Sequence, residues 1–409
     1  MLKLWPRSIL TLAAIIVLCT CIDPYTPKIK GYTSLLVVDG LITDANSSYT
    51  VKLSRTFQEE NSVLINVSDA IVFITDNAGI NTYLKNKDNG IYKTDSLEFN
   101  GTIGKTYILH IVTNEGEEYE SEPCLMQSVP DIDSIYFAKD QQLTNNGSQI
   151  QDGVSIYLDS KEGDNNQYYR WAFDETWKFK VPDPKKYDFN VADSTIIPFT
   201  DVKEFCWKNR KSDGVLIRAI HPGEPTRIVK EPIFFIAPDQ SDRLLIQYSI
   251  LVSQYSISKR EYDFWNDMKQ VNENGGDIFA KQPLTVISNI KNVNNPEVKV
   301  LGYFQVSAVK QKRKDIPFSA IVGLNLPFFH YPCVRMERDP SDFQTQFGPP
   351  VTWYDVYSIF CITSTYSFVE PKYSSGTNQL EKMVFVLPEC ANCELTGTRS
   401  KPDFWVDLN

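Results

Sequence analysis

The chain has 409 residues, with 41 Lys and Arg against 51 Asp and Glu, a formal net charge of −10 at pH 7. That balance argues against a nucleic-acid partner and against electrostatic docking on anionic lipid, both of which need a basic surface. The length favours two domains over one, and the 51 aromatics (23 Phe, 21 Tyr, 7 Trp) suit a β-rich protein.

Residues 1–20 read as a signal peptide. Lys3 and Arg7 form a positive n-region, and Ile9 to Leu18 is apolar except for Thr11, a run too short to span a bilayer. No A-x-A cleavage site follows. Leu18-Cys19-Thr20-Cys21 matches a bacterial lipobox instead, with Leu at −3, a small residue at −1 and Cys21 as the acylated residue. Cys19 fits worse, because Leu18 would then hold the small-residue position. The alternative is an ordinary signal peptide with two incidental cysteines.

With cleavage before Cys21, the mature chain carries 39 basic and 51 acidic residues, net −12. Acyl chains (palmitate among them) would hold it on the outer membrane, since several chains together anchor stably. Residues 21–33, with Pro24 and Pro27, form a short tether. Cell-surface exposure is the favoured face, although only Asp23 follows the cysteine closely as an acidic export signal.

Residues 34–129 predict a β-sandwich of immunoglobulin-like or transthyretin-like type. Leu35–Val38, Tyr49–Leu53, Val67–Thr75, Gly90–Thr94 and Lys105–Thr113 are strand-like, with Tyr107, Leu109 and Ile111 on one face. Turn signals separate them, including Asn89-Gly90 and Asn100-Gly101. Pro130-Asp131 marks a boundary, and residues 130–409 predict a larger β-rich domain. Its strands are expected at Tyr168–Phe173, Leu244–Val252, Val298–Val309 and Val356–Thr363. One helix, near 258–274, opens on the capping box Ser258-Lys259-Arg260-Glu261 and carries a stripe of Phe264, Trp265, Met268 and Val271. Asn274-Gly275-Gly276 would stop it.

The three histidines, His110, His221 and His330, lie in no metalloprotease motif, and neither a G-x-S-x-G nor a phosphate-binding loop occurs. No cofactor is implied. Asp159–Asn166 has calcium-like oxygens out of loop order, so a solvated turn is the better reading. Phe328-Phe329-His330-Tyr331 reads as core rather than as a sugar- or peptide-stacking platform.

In an exported chain, paired thiols become disulfides. Cys390-Ala391-Asn392-Cys393 lacks the second C-x-x-C knuckle that a four-cysteine zinc site wants, and the following Glu394–Gly397 reads as a turn rather than the helix of a redox centre. Cys206, Cys333, Cys390 and Cys393 are therefore the disulfide candidates, with three connectivities open. Cys361 reads as a buried thiol, and Cys124 has no evident partner.

Several stretches in order resemble the Bacteroidota lipoprotein family catalogued as domain of unknown function 4249. They are Leu36–Asp44, Tyr49–Arg55, Tyr168–Trp171, Tyr262–Trp265, Val300–Phe304, and Cys390-x-x-Cys393 with Lys401–Trp405. The resemblance implies an outer-membrane lipoprotein, often encoded beside a TonB-dependent receptor, with no established enzyme activity. The expectation is a non-catalytic accessory of such a receptor that binds or delivers a small-molecule, glycan or peptide nutrient. A lipid-anchored hydrolase acting on glycan or peptide is the rival, and a surface adhesin shares the same sequence features. Clustered carboxylates in a deep cleft would favour the hydrolase; a flat apolar patch would favour docking.

Overall fold

The computed structural model describes residues 34–56, 65–95, 99–144, 149–163, 167–274, 286–346 and 348–408. The expected signal peptide, Cys21 and the expected tether lie outside the described residues, as do Gly275-Gly276 and residues 164–166 of the Asp159–Asn166 stretch.

The fold is mainly β. The first lobe contains β1 (Leu36–Ile42), β2 (Thr50–Arg55), β3 (Ile71–Asp76), β4 (Asn81–Tyr83), β5 (Ile91–Lys93), β6 (Thr106–Val112) and β7 (Glu118–Ser121). β1 and β6 alternate buried and half-exposed residues along their length, which is the period-two pattern of a strand with one face in a core. The second lobe adds β8 (Ile132–Leu143), β9 (Ile150–Ser160), β10 (Tyr168–Lys180), β11 (Phe205–Lys211), β12 (Glu231–Ile236) and β13 (Gln247–Ser256), then helix α1 (Lys259–Asn274). After the helix come β14 (Ile290–Asn292), β15 (Leu301–Val306), β16 (Val309–Pro317), a short strand at Met336–Arg338 and, after α2 (Trp353–Tyr357), β17 (Ser367–Tyr373), which pairs with β18 (Leu380–Val386).

After building all but one strand of the second lobe's two main sheets, the chain returns to the first lobe. β15 pairs with β1 in parallel, Val37 opposite Leu301 through Ile42 opposite Val306, and β14 pairs with β7. One sandwich sheet runs β15-β1-β2-β5 and the other β14-β7-β6-β3-β4. Ile290, Val300, Phe304 and Val306 are buried in the same core as Val38, Val51, Leu109 and Tyr119. The division expected at 129/130 is therefore incomplete. A parallel pair needs a long crossover, and here the crossover contains most of the second lobe.

The second lobe packs β8-β9-β12 against β11-β10-β13-β16 around Trp171, Phe179, Tyr248, Ile156 and Leu158. The seam between lobes is tied by hydrogen bonds. Ser307 Oγ donates to the Ser256 carbonyl at 2.7 Å, and Val309 N to Asp44 Oδ1 at 2.8 Å.

Several elements differ from expectation. The single strand expected over Val298–Val309 is split into β15 and β16 at Ser307-Ala308. Val356–Thr363 is helical: α2 runs into a wider turn at Ser358–Thr363, because Thr352 and Asp355 form a reciprocal capping box that nucleates a helix there. α1 begins where its own box predicts, with Glu261 N donating to Ser258 Oγ at 3.1 Å. Of its stripe, Phe264 is fully buried and packs on Tyr303 at 4.7 Å between ring centres; Trp265, Met268 and Val271 are half-buried.

Candidate functional site

The cysteines are joined across distant elements. Cys206 on β11 bonds Cys393, and Cys333 bonds Cys390. The C-x-x-C pair follows β18 on a one-turn helix, Pro388–Ala391, and a short 3₁₀ turn capped by Asn392. Glu394–Gly397 is the turn expected there rather than a redox centre's long helix, although each cysteine sits on a short helical turn. Each cysteine is nevertheless bonded to a different strand or loop, so the pair staples the tail rather than forming one dithiol. Cys124 and Cys361 are free thiols, and burial pushes them up to about 12 and about 11. Neither is a thiolate near neutral pH.

Two carboxylates lie deep in the second lobe. Glu175, 1% exposed, receives Arg243 Nε, Arg243 Nη2 and Tyr248 Oη at 2.8 to 3.0 Å. Asp242 at 4% exposure receives Trp177 Nε1, Lys208 Nζ and Tyr331 Oη at 2.7 to 3.0 Å. With three donors apiece they have the saturation of structural carboxylates, not of a glycosidase pair that must reach substrate and water. Tyr331 comes from the Phe328–Tyr331 cluster, which is not the core expected of it: Phe328, Phe329 and Tyr331 are half-buried and His330 is exposed, with Phe328 lying on Phe318 at 5.4 Å. Among the described residues, no group of three or more His, Cys, Asp and Glu is placed to hold a metal ion.

A smaller cavity of about 250 Å³ opens where the lobes meet, lined by Cys124, Glu261, Asn289 and Tyr303. Asn289 pins β15 by accepting from Phe304 N at 2.9 Å and donating to its carbonyl at 2.8 Å. Glu261 is 3% exposed, and its hydrogen bond comes from Trp265 Nε1 at 3.4 Å. Desolvation raises it to about 7, against the pull of the Arg170 guanidinium. Arg170 itself is stacked between Tyr255 and Trp265, 4.6 and 4.7 Å from the ring centres. An acid poised near neutrality can move a proton, but the thiol beside it stays protonated.

A concavity of about 820 Å³ lies along the outer half of the β8–β9 hairpin. It exists because β12 ends at Ile236, opposite Val154, leaving Ile150–Gly153 with a strand on one side only. Its walls are amides and carboxylates: Gln141, Gln142, Gln149, Gln151, Gln240, Asp152 and Asp239, with Leu143, Ile150 and Phe235 between them. Gln141 Nε2 donates to Asp152 at 2.6 Å and Gln151 Nε2 to Asp239 at 3.0 Å. These bonds orient the side chains through their nitrogens and leave the amide oxygens for a ligand. The volume falls within the usual range for ligand sites, but the lining is mainly polar where most small-molecule pockets are mainly apolar. None of the sequence candidates comes here. The signal was the amide-rich stretch QQLTNNGSQIQD, Gln141 to Asp152, which also reads as an ordinary polar hairpin.

No curated protein matches the chain. The family model for the domain of unknown function DUF4249 matches residues 22–313, which takes in the sandwich, both seams between lobes and the amide-lined hairpin but stops before Cys333, Cys390 and Cys393. The chain belongs to the DUF4249 family.

Proposed function

We propose that this protein is a lipid-anchored outer-membrane lipoprotein, exposed at the cell surface, that serves a TonB-dependent receptor as a non-catalytic binding partner in nutrient uptake. The observation that carries the binding role is the amide-lined concavity on the β8–β9 hairpin. Glutamine offers both a donor and an acceptor, and neighbouring Leu143 and Ile150 supply apolar contact. That combination suits the hydroxyls of a glycan or the backbone of a peptide. Two disulfides support an oxidising compartment, and the lipobox at Cys21 supports the anchor.

Mild-detergent purification of the tagged protein from its native outer membrane, followed by mass spectrometry, tests the reading. A stoichiometric TonB-dependent receptor is the expected companion. A protein that elutes alone overturns the partnership. Cys21→Ala is expected to abolish acyl labelling and membrane retention; a variant still labelled and membrane-bound would sink the anchor.

A further inference from the structure

The outward face of the sandwich sheet β14-β7-β6-β3-β4 departs from the pattern of a solvent-facing sheet. Strands with one wet face alternate apolar and polar residues, whereas strands covered on both faces read as continuous apolar runs. β3 (IVFITD) and β6 (TYILHIV) are of the second kind. Their inward residues, Val72, Ile74, Leu109 and Ile111, are buried in the sandwich core. Of their outward residues, Ile71, Phe73, Ile108 and Val112 are apolar too, with Thr75, Thr106 and His110 among them; Ile71 is 57% exposed, the others are half-buried, and Tyr83, on the neighbouring β4, is 61% exposed. The opposite sheet shows the ordinary pattern, with Asp39 and Lys52 pointing outward and exposed.

The registers line these residues into rows. Tyr83 lies opposite Phe73, Phe73 opposite His110, His110 opposite Glu120, and Glu120 opposite Lys291. The rings are in contact: Phe73 and His110 stack at 4.6 Å and 10°, and Tyr83 leans on Phe73 at 5.1 Å. Burial lowers the pKa of His110, so the imidazole is neutral near pH 7 and the row is uncharged until Glu120. A second row, Ile71 opposite Val112 opposite Glu118, runs beside it. The face is therefore a largely apolar and aromatic field bordered by Glu118 and Glu120 on β7, with Lys291 beyond them on the edge strand β14.

We propose that this face docks against a protein embedded in the same membrane, one presenting an apolar centre with Lys or Arg along one margin. Charge selects that occupant. A chain of net −10 with Glu118 and Glu120 on the margin repels both an anionic bilayer and a second copy of itself. The start of the described chain supports it. Leu36 pairs with Arg55, which is bonded to Glu115 and Glu117 at the turn joining β6 to β7. The tether thus enters at the end of the sandwich where the Ile71–Val112 row lies. The twelve residues 22–33 span at most about 40 Å, which keeps this face close to the membrane. The inference rests on the anchored-partner reading above and adds to it the surface used.

A benzophenone amino acid placed at position 83 of the full-length protein, irradiated in native outer membranes, tests the face. The expected product is an adduct with one integral outer-membrane protein. Its yield should fall roughly tenfold with Ile71→Asp and with the double reversal Glu118→Lys/Glu120→Lys, the change expected when a central contact worth about 1.4 kcal/mol is lost. All three substituted positions are partly or largely solvent-exposed, and an unchanged thermal midpoint certifies folding. An adduct with a second copy, with lipid or with nothing overturns the proposal, as does an adduct insensitive to both sets of changes. If the receptor co-purifies with the unsubstituted protein while position 83 captures nothing, the face is wrong and the partnership stands. If position 83 captures a barrel other than a TonB-dependent receptor, the face stands and the receptor reading falls.

Discussion

Arg243 holds Glu175 through two nitrogens of its guanidinium, Nε at 2.9 Å and Nη2 at 2.8 Å, while its carbon sits 4.5 Å above the centre of the Trp177 ring. The side chains are 12% and 1% exposed, so the pair stands in the core of the second lobe rather than on its surface. Removing one partner strands the other charge where water does not reach it. Glu175→Ala is expected to cost about 3–5 kcal/mol, read as a lower denaturant midpoint for the second lobe. A loss under 1 kcal/mol would show that Arg243 finds another acceptor.

The disulfides predict a specific map of reactive thiols. Alkylation of unfolded but unreduced protein should label Cys124 and Cys361, with Cys206, Cys333, Cys390 and Cys393 labelled only after reduction. The Cys206–Cys393 bond closes a sequence separation of 187 residues and Cys333–Cys390 one of 57. Replacing Cys206 and Cys393 together by Ser should cost about 2–5 kcal/mol, and more than the same change at Cys333 and Cys390, because the longer loop gains more freedom in the unfolded chain. Peptide mapping and paired unfolding curves check both points.

Glu261 predicts a pH dependence of stability. Its folded-state pKa of about 7 lies above the ordinary 4.5 because burial disfavours the carboxylate. Between those two values the unfolded chain has released the proton while the folded chain still holds it. Stability is therefore full below pH 4.5, declines as pH rises towards 7, and is level above it. The decline attributable to this group is about 3 kcal/mol. Glu261→Gln keeps the shape without the charge and should flatten that limb of the curve; an unchanged slope would assign the dependence elsewhere. Arg170 from β10, Arg260 on the same helix, Tyr303 from β15, Cys124 and Glu122 are titratable or charged groups that face this cavity.

Gly302 is where the chain returns to the sandwich. Its φ is +82°, and a Cβ there would lie 2.0 Å from the Val38 carbonyl oxygen. Gly302→Ala meets both a left-handed backbone and β1 itself, a combination expected to cost about 2–4 kcal/mol. Hydrogen exchange along β1 and β15 should rise selectively; uniform protection across both strands would show that the seam tolerates the methyl.

Much of this protein is legible without a structure. The alternation in β1, β2 and β6, the turn at Asn89-Gly90, and the box at Ser258–Glu261 are local signals, and each acts over a few residues; the turn expected at Asn100-Gly101 falls instead at Ile103-Gly104. The set of four bonded cysteines is also readable from spacing and compartment. Val356–Thr363 was misread because a run rich in β-formers was given more weight than the cap at Thr352, and a helix start is a matter of hydrogen-bond geometry rather than composition.

What the sequence by itself determined is the mainly β character of the chain, its capped helix and its family. The tertiary structure decided which cysteine meets which, that Leu301–Val306 closes the first lobe in parallel with β1, that Gln141 and Gln151 share a concavity, and that Tyr83, Phe73 and His110 form one row. The reason is physical. Period, turn chemistry and capping are governed by neighbours along the chain. Pairings across 57, 187 or more than 260 residues are selected by burial and register, and those terms exist only once the chain is compact.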